Sequence, residues 1–196
     1  MIANSDFARM TPQEYLAWEE TQPLRYEYLN GEVIAMTGGT IPHNQVAVNL
    51  AALLKNHLRG QGCKVLTSDA KVAVSEKGSF HYADVSVTCD ARDRGARQYI
   101  RYPCLIAEVL SPSTEAWDRG GKFRQYRRIE TLQEYVLIDP DRPGWECYRL
   151  NERGNWELVQ SVGGEANLDS TEILLASLDY RFPLAQLYED VELFAE

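Results

Sequence analysis

The sequence has no apolar run approaching the length needed to cross a bilayer. Its opening stretch, Met1 to Met10, lacks the basic start, apolar centre and small-residue cleavage site of a secretion signal. The expectation is a cytoplasmic protein with no membrane partner. Cysteine is sparse, and Cys63, Cys89, Cys104 and Cys147 form no Cys-x-x-Cys pair and have no histidine at zinc spacing. They read as four reduced core or surface thiols. Internal repeats, heptads, low-complexity tracts and Pro/Gly-rich linkers are also missing. A chain of 196 residues that is 44% hydrophobic can bury one good core, so one domain is expected over residues 1–196, with its core from about 11 to 187.

Basic charge is short overall, at a net −9, which argues against a polyanionic partner. The total conceals an uneven distribution. Between Arg92 and Arg128 stand nine basic residues (Arg92, Arg94, Arg97, Arg101, Arg119, Lys122, Arg124, Arg127, Arg128) against four acids (Asp93, Glu108, Glu115, Asp118). A basic middle with acidic ends is either a solvated face or a surface for phosphate.

Local patterns place the elements. In MTPQEYLAWEE, Thr11 as N-cap, Pro12 at the first helical position and Glu14 at the capping-box position mark a short helix. In YEYLNGEVIAM, Asn30-Gly31 suits a two-residue hairpin turn pairing Leu29 with Glu32 and Glu27 with Ile34, so that Glu27 and Glu32 share one face. HNQVAVNLAALLKNHLRGQG reads as an amphipathic helix with Val46, Leu50, Leu53 and Leu54 on one stripe, begun by His43 and closed by Gly60 and Gly62. Strands are expected in CKVLTSDAKVAV, FHYADVSVT and CLIAEVL, followed by a helix from about Arg119 to Glu130, the strand EYVLIDP, and two short strands around Trp145 and Trp156.

Within LIAEVLSPST a single ionisable residue, Glu108, interrupts an apolar run, and burying a carboxylate costs roughly several kcal/mol unless a partner compensates it. Alternation puts Tyr82, Asp84 and Ser86 on one face of their strand and Ile106, Glu108 and Leu110 on one face of theirs. If the strands are neighbours, Asp84 and Glu108 converge, which requires a shared proton or a cation. Oxygen ligands without sulfur or clustered histidine suit Mg²⁺ or Mn²⁺.

The order helix, strand, strand with an aspartate, strand with a glutamate, helix, strand resembles the PD-(D/E)XK nuclease superfamily, with its restriction-endonuclease-like α/β (α+β) core. More narrowly, YEYLNGEVIAM, PHNQV, YADVSV, IAEVLSPST, GGKFRQYRR and EYVLIDP together resemble a bacterial family of restriction-endonuclease-type proteins long classed as a domain of unknown function. The resemblance implies that Asp84 and Glu108 bind the metal. Ala83 stands where the superfamily has proline, and Leu110 where it has lysine. The resemblance places that lysine on the following helix, at Lys122, on a stripe with Tyr126 and Ile129. The helix from His43 carries no acid, and Glu27 and Glu32 are candidate substitutes with His43 beside them.

The implied function is Mg²⁺-dependent hydrolysis of a DNA phosphodiester. Asp84 and Glu108 would hold the ion, and Lys122 would orient water or stabilise charge, acting as a base only if its pKa were lowered. Arg124, Arg127 and Arg128, with Arg92, Arg94 and Arg97 of the preceding loop, would grip the DNA backbone. A homodimer would allow both strands to be cut. The alternatives are a nuclease-like nucleic-acid or protein binding module that no longer cuts, and hydrolysis of another phosphate ester. His57 and His81 lack convergent partners and read as structural.

Overall fold

The computed structural model describes residues 9–36, 38–75, 78–163 and 167–193. Residues 1–8 of the stretch read for a targeting signal lie outside them. Helix α1 (Pro12–Glu19) starts at Thr11, whose side chain accepts from the Glu14 N–H while the Glu14 carboxylate accepts from the Thr11 N–H, the reciprocal box expected from the sequence. Strands β1 (Tyr26–Leu29) and β2 (Glu32–Ala35) form the Asn30-Gly31 hairpin in the expected register. Asn30 and Gly31 both adopt positive φ, which this turn requires. Helix α2 (Ile41–His57) begins two residues before His43, capped by Thr40 with Pro42 in its first turn.

Two of the expected strands are each broken in two. CKVLTSDAKVAV becomes β3 (Lys64–Thr67) and β4 (Lys71–Ala73), and FHYADVSVT becomes β5 (Phe80–Tyr82) and β6 (Val85–Thr88). Then come β7 (Tyr99–Ile100) and β8 (Leu105–Val109), α3 (Glu115–Trp117), a π turn over Asp118–Lys122 and α4 (Phe123–Tyr126). The chain closes with β9 (Glu134–Asp139), β10 (Gly144–Leu150), β11 (Trp156–Val162), β12 (Glu172–Leu175) and β13 (Tyr180–Pro183). The broken halves serve different sheets. A six-stranded sheet runs β11-β10-β9-β8-β6-β3, and a five-stranded one β2-β1-β5-β4-β7. The chain crosses between them at Ser68–Ala70 and again at Ala83–Asp84.

In the large sheet β8 and β9 are parallel, and the crossover between them carries α3, the π turn and α4. Its other neighbouring pairs are antiparallel. On one face α2 buries Val46, Leu50 and Leu54 against Val85, Val87, Ala107 and Val109. On the other, Tyr126, Ile129 and Leu132 pack against Ile106, Tyr135 and Leu137. Burying each such side chain contributes about 1.5–3 kcal/mol. This is the α+β, restriction-endonuclease-like architecture expected. Among the described residues no helix is long and apolar enough to cross a membrane.

Two expectations are corrected. Cys63 and Cys89 are joined in a disulfide, leaving Cys104 and Cys147 as free thiols. The register pairs Lys64 with Thr88, so the next positions outward face each other across β3 and β6. The crossover helix was expected from Arg119 to Glu130, but helical structure runs from Glu115 to Tyr126: the Glu115 N–H already bonds back to the Ser111 carbonyl, and past Arg127 the Arg128 and Ile129 N–H groups bond three rather than four residues back, so the chain leaves the helix in a turn.

Candidate active site

Where the two sheets meet, the end of β8, the β5–β6 junction, the first turn of α2 and the π turn border a cleft of about 330 Å³. Asp84 and Glu108 converge there. Asp84 lies at the bend between sheets, its N–H 3.4 Å from Glu108 Oε2 and its Oδ2 accepting the Val109 N–H at 2.8 Å. The bend breaks the alternation read from the sequence. Ala83 packs with Ile106 and Leu110, whereas Val85 and Val87 pack under α2.

Glu108 is 2% exposed, and its compensation comes from the crossover. Lys122 Nζ lies 3.0 Å from Glu108 Oε1, 3.2 Å from Glu27 Oε1 and 3.7 Å from Asp118 Oδ1, and donates to the Tyr82 carbonyl at 3.3 Å. A π turn is a frequent feature of functional sites, and here it carries both Asp118 and Lys122 inward. It depends on Gly121, since a Cβ there would fall 1.8 Å from the ring of Trp117, which also lines the cleft.

The charges are strongly coupled. Burial raises the Glu108 carboxyl well above the usual range, Lys122 opposes this, and Asp84, Asp118 and Glu27 add to it. Burial disfavours the charged Lys122 ammonium, yet Glu108, Glu27, Asp118 and Asp84 outweigh it and raise the amine well above its ordinary value. The lowered pKa that a basic Lys122 would need is therefore absent, and the side chain is a fixed cation. Burial also works against ionised Glu27, but Lys122, His81 and the Tyr82 N–H hold its pKa down to about 2. Asp118 is raised, mainly by burial.

His43 Nε2 lies 3.4 Å from Asp84 Oδ2. Burial lowers its pKa, but Asp84 and the Val109 carbonyl outweigh this and leave it raised. Gly39 makes room for the ring, because a Cβ there would lie 2.7 Å from Nδ1.

The structure thus gathers Asp84, Glu108, Lys122, Glu27 and His43. Glu32 is not among them. It shares a face with Glu27 by register but sits beside the hairpin turn, where it is exposed and 3.7 Å from Arg9. His81 was read as lacking partners, yet it is fully buried with Nδ1 3.2 Å from Glu27 Oε2, behind the site. His57 is structural as expected, bonded to the Leu178 carbonyl and stacked on Tyr180.

None of the six selected arginines lines the cleft among its described residues. Arg124, Arg127 and Arg128 are exposed. Arg92 and Arg97 border a separate groove with Arg101 and Tyr102, and Arg94 is exposed beside it. Arg92 is engaged internally, paired with Asp90 and Glu130 and stacked on Tyr102. Asp118 and Arg25 were missed. Asp118 could have been found, since it stands four residues before Lys122 on a helical face. Arg25 had no such signal, because only folding brings it to the cleft.

A family model described as "Putative restriction endonuclease" matches residues 12–184. The uncharacterized protein slr1290 of Synechocystis sp. is 46% identical over 162 residues, covering 81% of this chain and 85% of that protein. A second uncharacterized protein of the same organism, sll1609, is 33% identical over 162 residues, covering 82% and 92%. The crystal structure of "a putative nuclease belonging to DUF820" from Anabaena variabilis superposes with a TM-score of 0.71 at 17% identity, over 92% of this chain and 98% of that one, and so shares its fold. With the matched region spanning every element of the cleft, the chain belongs to the Uma2 family.

Proposed function

We propose that this protein is a Mg²⁺- or Mn²⁺-dependent nuclease that hydrolyses DNA phosphodiester bonds at the Asp84–Glu108 cleft. The observation that carries this reading is the convergence of two carboxylates from different elements beside a buried lysine. The donor set fits a hard divalent ion. Glu108 Oε1 is buried without an aligned hydrogen bond, and Glu108, Asp84, Asp118 and Glu27 outnumber the ammonium among them. Among the described residues no group of three or more His, Cys, Asp and Glu side chains is arranged to hold a metal. Asp84 and Glu108 would supply two carboxylates, enough for an ion that keeps several of its own waters.

A bound ion would neutralise charge on the scissile phosphate and lower the pKa of a water. The chain's own residues do the rest. The Val109 N–H and His43 fix the Asp84 carboxylate. Lys122, held cationic, stabilises negative charge developing on the phosphate oxygens. Glu27 and Asp118 hold that ammonium in place, and His81 backs Glu27. One cleft serves one strand, so duplex cleavage calls for two copies of the chain.

A second reading, a binding module that does not cut, is favoured by one contact: the Lys122 ammonium already neutralises Glu108 in the absence of metal. Calorimetric titration with Mn²⁺ and Mg²⁺, paired with cleavage of supercoiled plasmid DNA, separates the two. Metal binding with metal-dependent nicking is expected. Binding of DNA with neither would establish the second reading.

A further inference from the structure

Arg25, immediately before β1, lines the same cleft and is half exposed. Its backbone carbonyl accepts the Met36 N–H at 2.9 Å, which anchors the residue to the hairpin. Two acids lie near its guanidinium, Glu19 and Asp69, each at 3.9 Å, beyond hydrogen-bond reach. Neither accounts for the arginine. Glu19 is 1% exposed and already balanced, with Lys71 Nζ at 2.7 Å and the Tyr82 hydroxyl donating at 2.6 Å. The Asp69 side chain is 89% exposed, and such pairs are weak.

The remaining charges of the cleft are committed or repulsive. Glu27, Asp69, Asp84, Glu108 and Asp118 border it. Lys122 is shared among Glu27, Glu108 and Asp118, and His43 faces Asp84. Among the described residues lining the cleft, Arg25 is the cation with no carboxylate within hydrogen-bond distance. The geometry points to Arg25 as the side chain that receives a backbone phosphate of the nucleic-acid strand whose scissile bond lies at Asp84 and Glu108. This deepens the nuclease reading and rests on it. A guanidinium fork matches two phosphate oxygens at once, which a lysine cannot do.

The test uses the full chain with a labelled duplex DNA oligonucleotide, a single-stranded one and supercoiled plasmid. Binding is followed by fluorescence anisotropy against KCl in chelator. Arg25→Ala should lower the log–log salt slope by about one unit on the oligonucleotide the wild type binds. It should also raise KM for plasmid cleavage with little change in kcat, while Mn²⁺ binding by calorimetry stays at the wild-type value. Arg25→Lys should recover the slope but only part of the KM, and Arg153→Ala, on an exposed turn far along the chain, should change neither. If wild type binds and cleaves DNA and Arg25→Ala matches it in slope and KM, the assignment of Arg25 falls and the nuclease reading stands. Loss of Mn²⁺ binding in folded Arg25→Lys would also overturn it, since the arginine would then organise the carboxylates. Failure of the wild type to bind or cleave either nucleic acid would remove the nuclease reading and the role of Arg25 together.

Discussion

Lys122 Nζ lies 3.0 Å from Glu108 Oε1, so the charge that the buried carboxylate of β8 needs is delivered by a π turn in the crossover that follows it. Removing one partner of a buried pair leaves the other uncompensated. Lys122→Met should therefore destabilise the metal-free protein by about 3–5 kcal/mol in urea unfolding. The double variant with Glu108→Gln should recover part of that loss. In cleavage assays Lys122→Met should lower turnover far more than DNA affinity, because the proposed role lies at the transition state. A change confined to affinity would make Lys122 a plain phosphate contact.

Metal binding provides a second measurement. Ligand present at 100 times its Kd stabilises a folded protein by about 2.7 kcal/mol. Mn²⁺ at that level should raise the wild-type melting temperature, and Asp84→Asn or Glu108→Gln should abolish the rise without unfolding the chain. In chelator the sign at Glu108 is reversed. A carboxyl whose folded pKa is raised loses stability as pH climbs from its unfolded to its folded pKa. Glu108→Gln should therefore be at least as stable as wild type at pH 7 and lose that advantage on acidification. Unchanged metal binding in either variant would refute the ligand assignment.

Glu27 behaves in the opposite way. Its folded pKa is held down to about 2, so its contribution is complete above the unfolded value near 4.5 and is lost as pH falls from there toward 2. The span corresponds to about 3 kcal/mol. Chemical denaturation between pH 5 and pH 2 should show this acid limb in wild type and a shallower one in Glu27→Gln. Equal slopes would mean that Glu27 is not held ionised by Lys122 and His81.

The arginines divide by their partners. Arg124 and Arg127 are exposed on and beside α4, and replacing both with alanine should reduce the salt slope of DNA binding by roughly one to two units. Arg92, stacked on Tyr102 and paired with two acids, should leave the slope unchanged when replaced. An unaltered slope in the α4 variant would return that face to ordinary solvation.

Thiol titration of the unfolded, unreduced chain should find two free thiols, Cys104 and Cys147, and four after reduction. The bridge closes a sequence separation of 26 residues, so Cys63→Ser with Cys89→Ser should cost about 3 kcal/mol. Four thiols without reductant would refute the bridge.

The amino-acid order by itself determined the features set by local rules. The Thr11–Glu14 cap, the Asn30-Gly31 turn with its register and the apolar stripe of α2 each follow from spacing within a few residues, and each is in the structure. Lys122, Tyr126 and Ile129 are all buried, but on the π turn, α4 and the turn after it rather than along one helix. The anomalous Glu108 in an apolar run also announced a compensating partner. Tertiary structure alone decided where strands break, since each broken strand exchanges one sheet for another and periodicity carries no record of that change. It separated Glu27 from Glu32, which share a face but not a position along it. It joined Cys63 to Cys89, set His81 behind Glu27 and brought Arg25 to the cleft, because contacts between residues distant in sequence are fixed by packing and leave no local pattern to read.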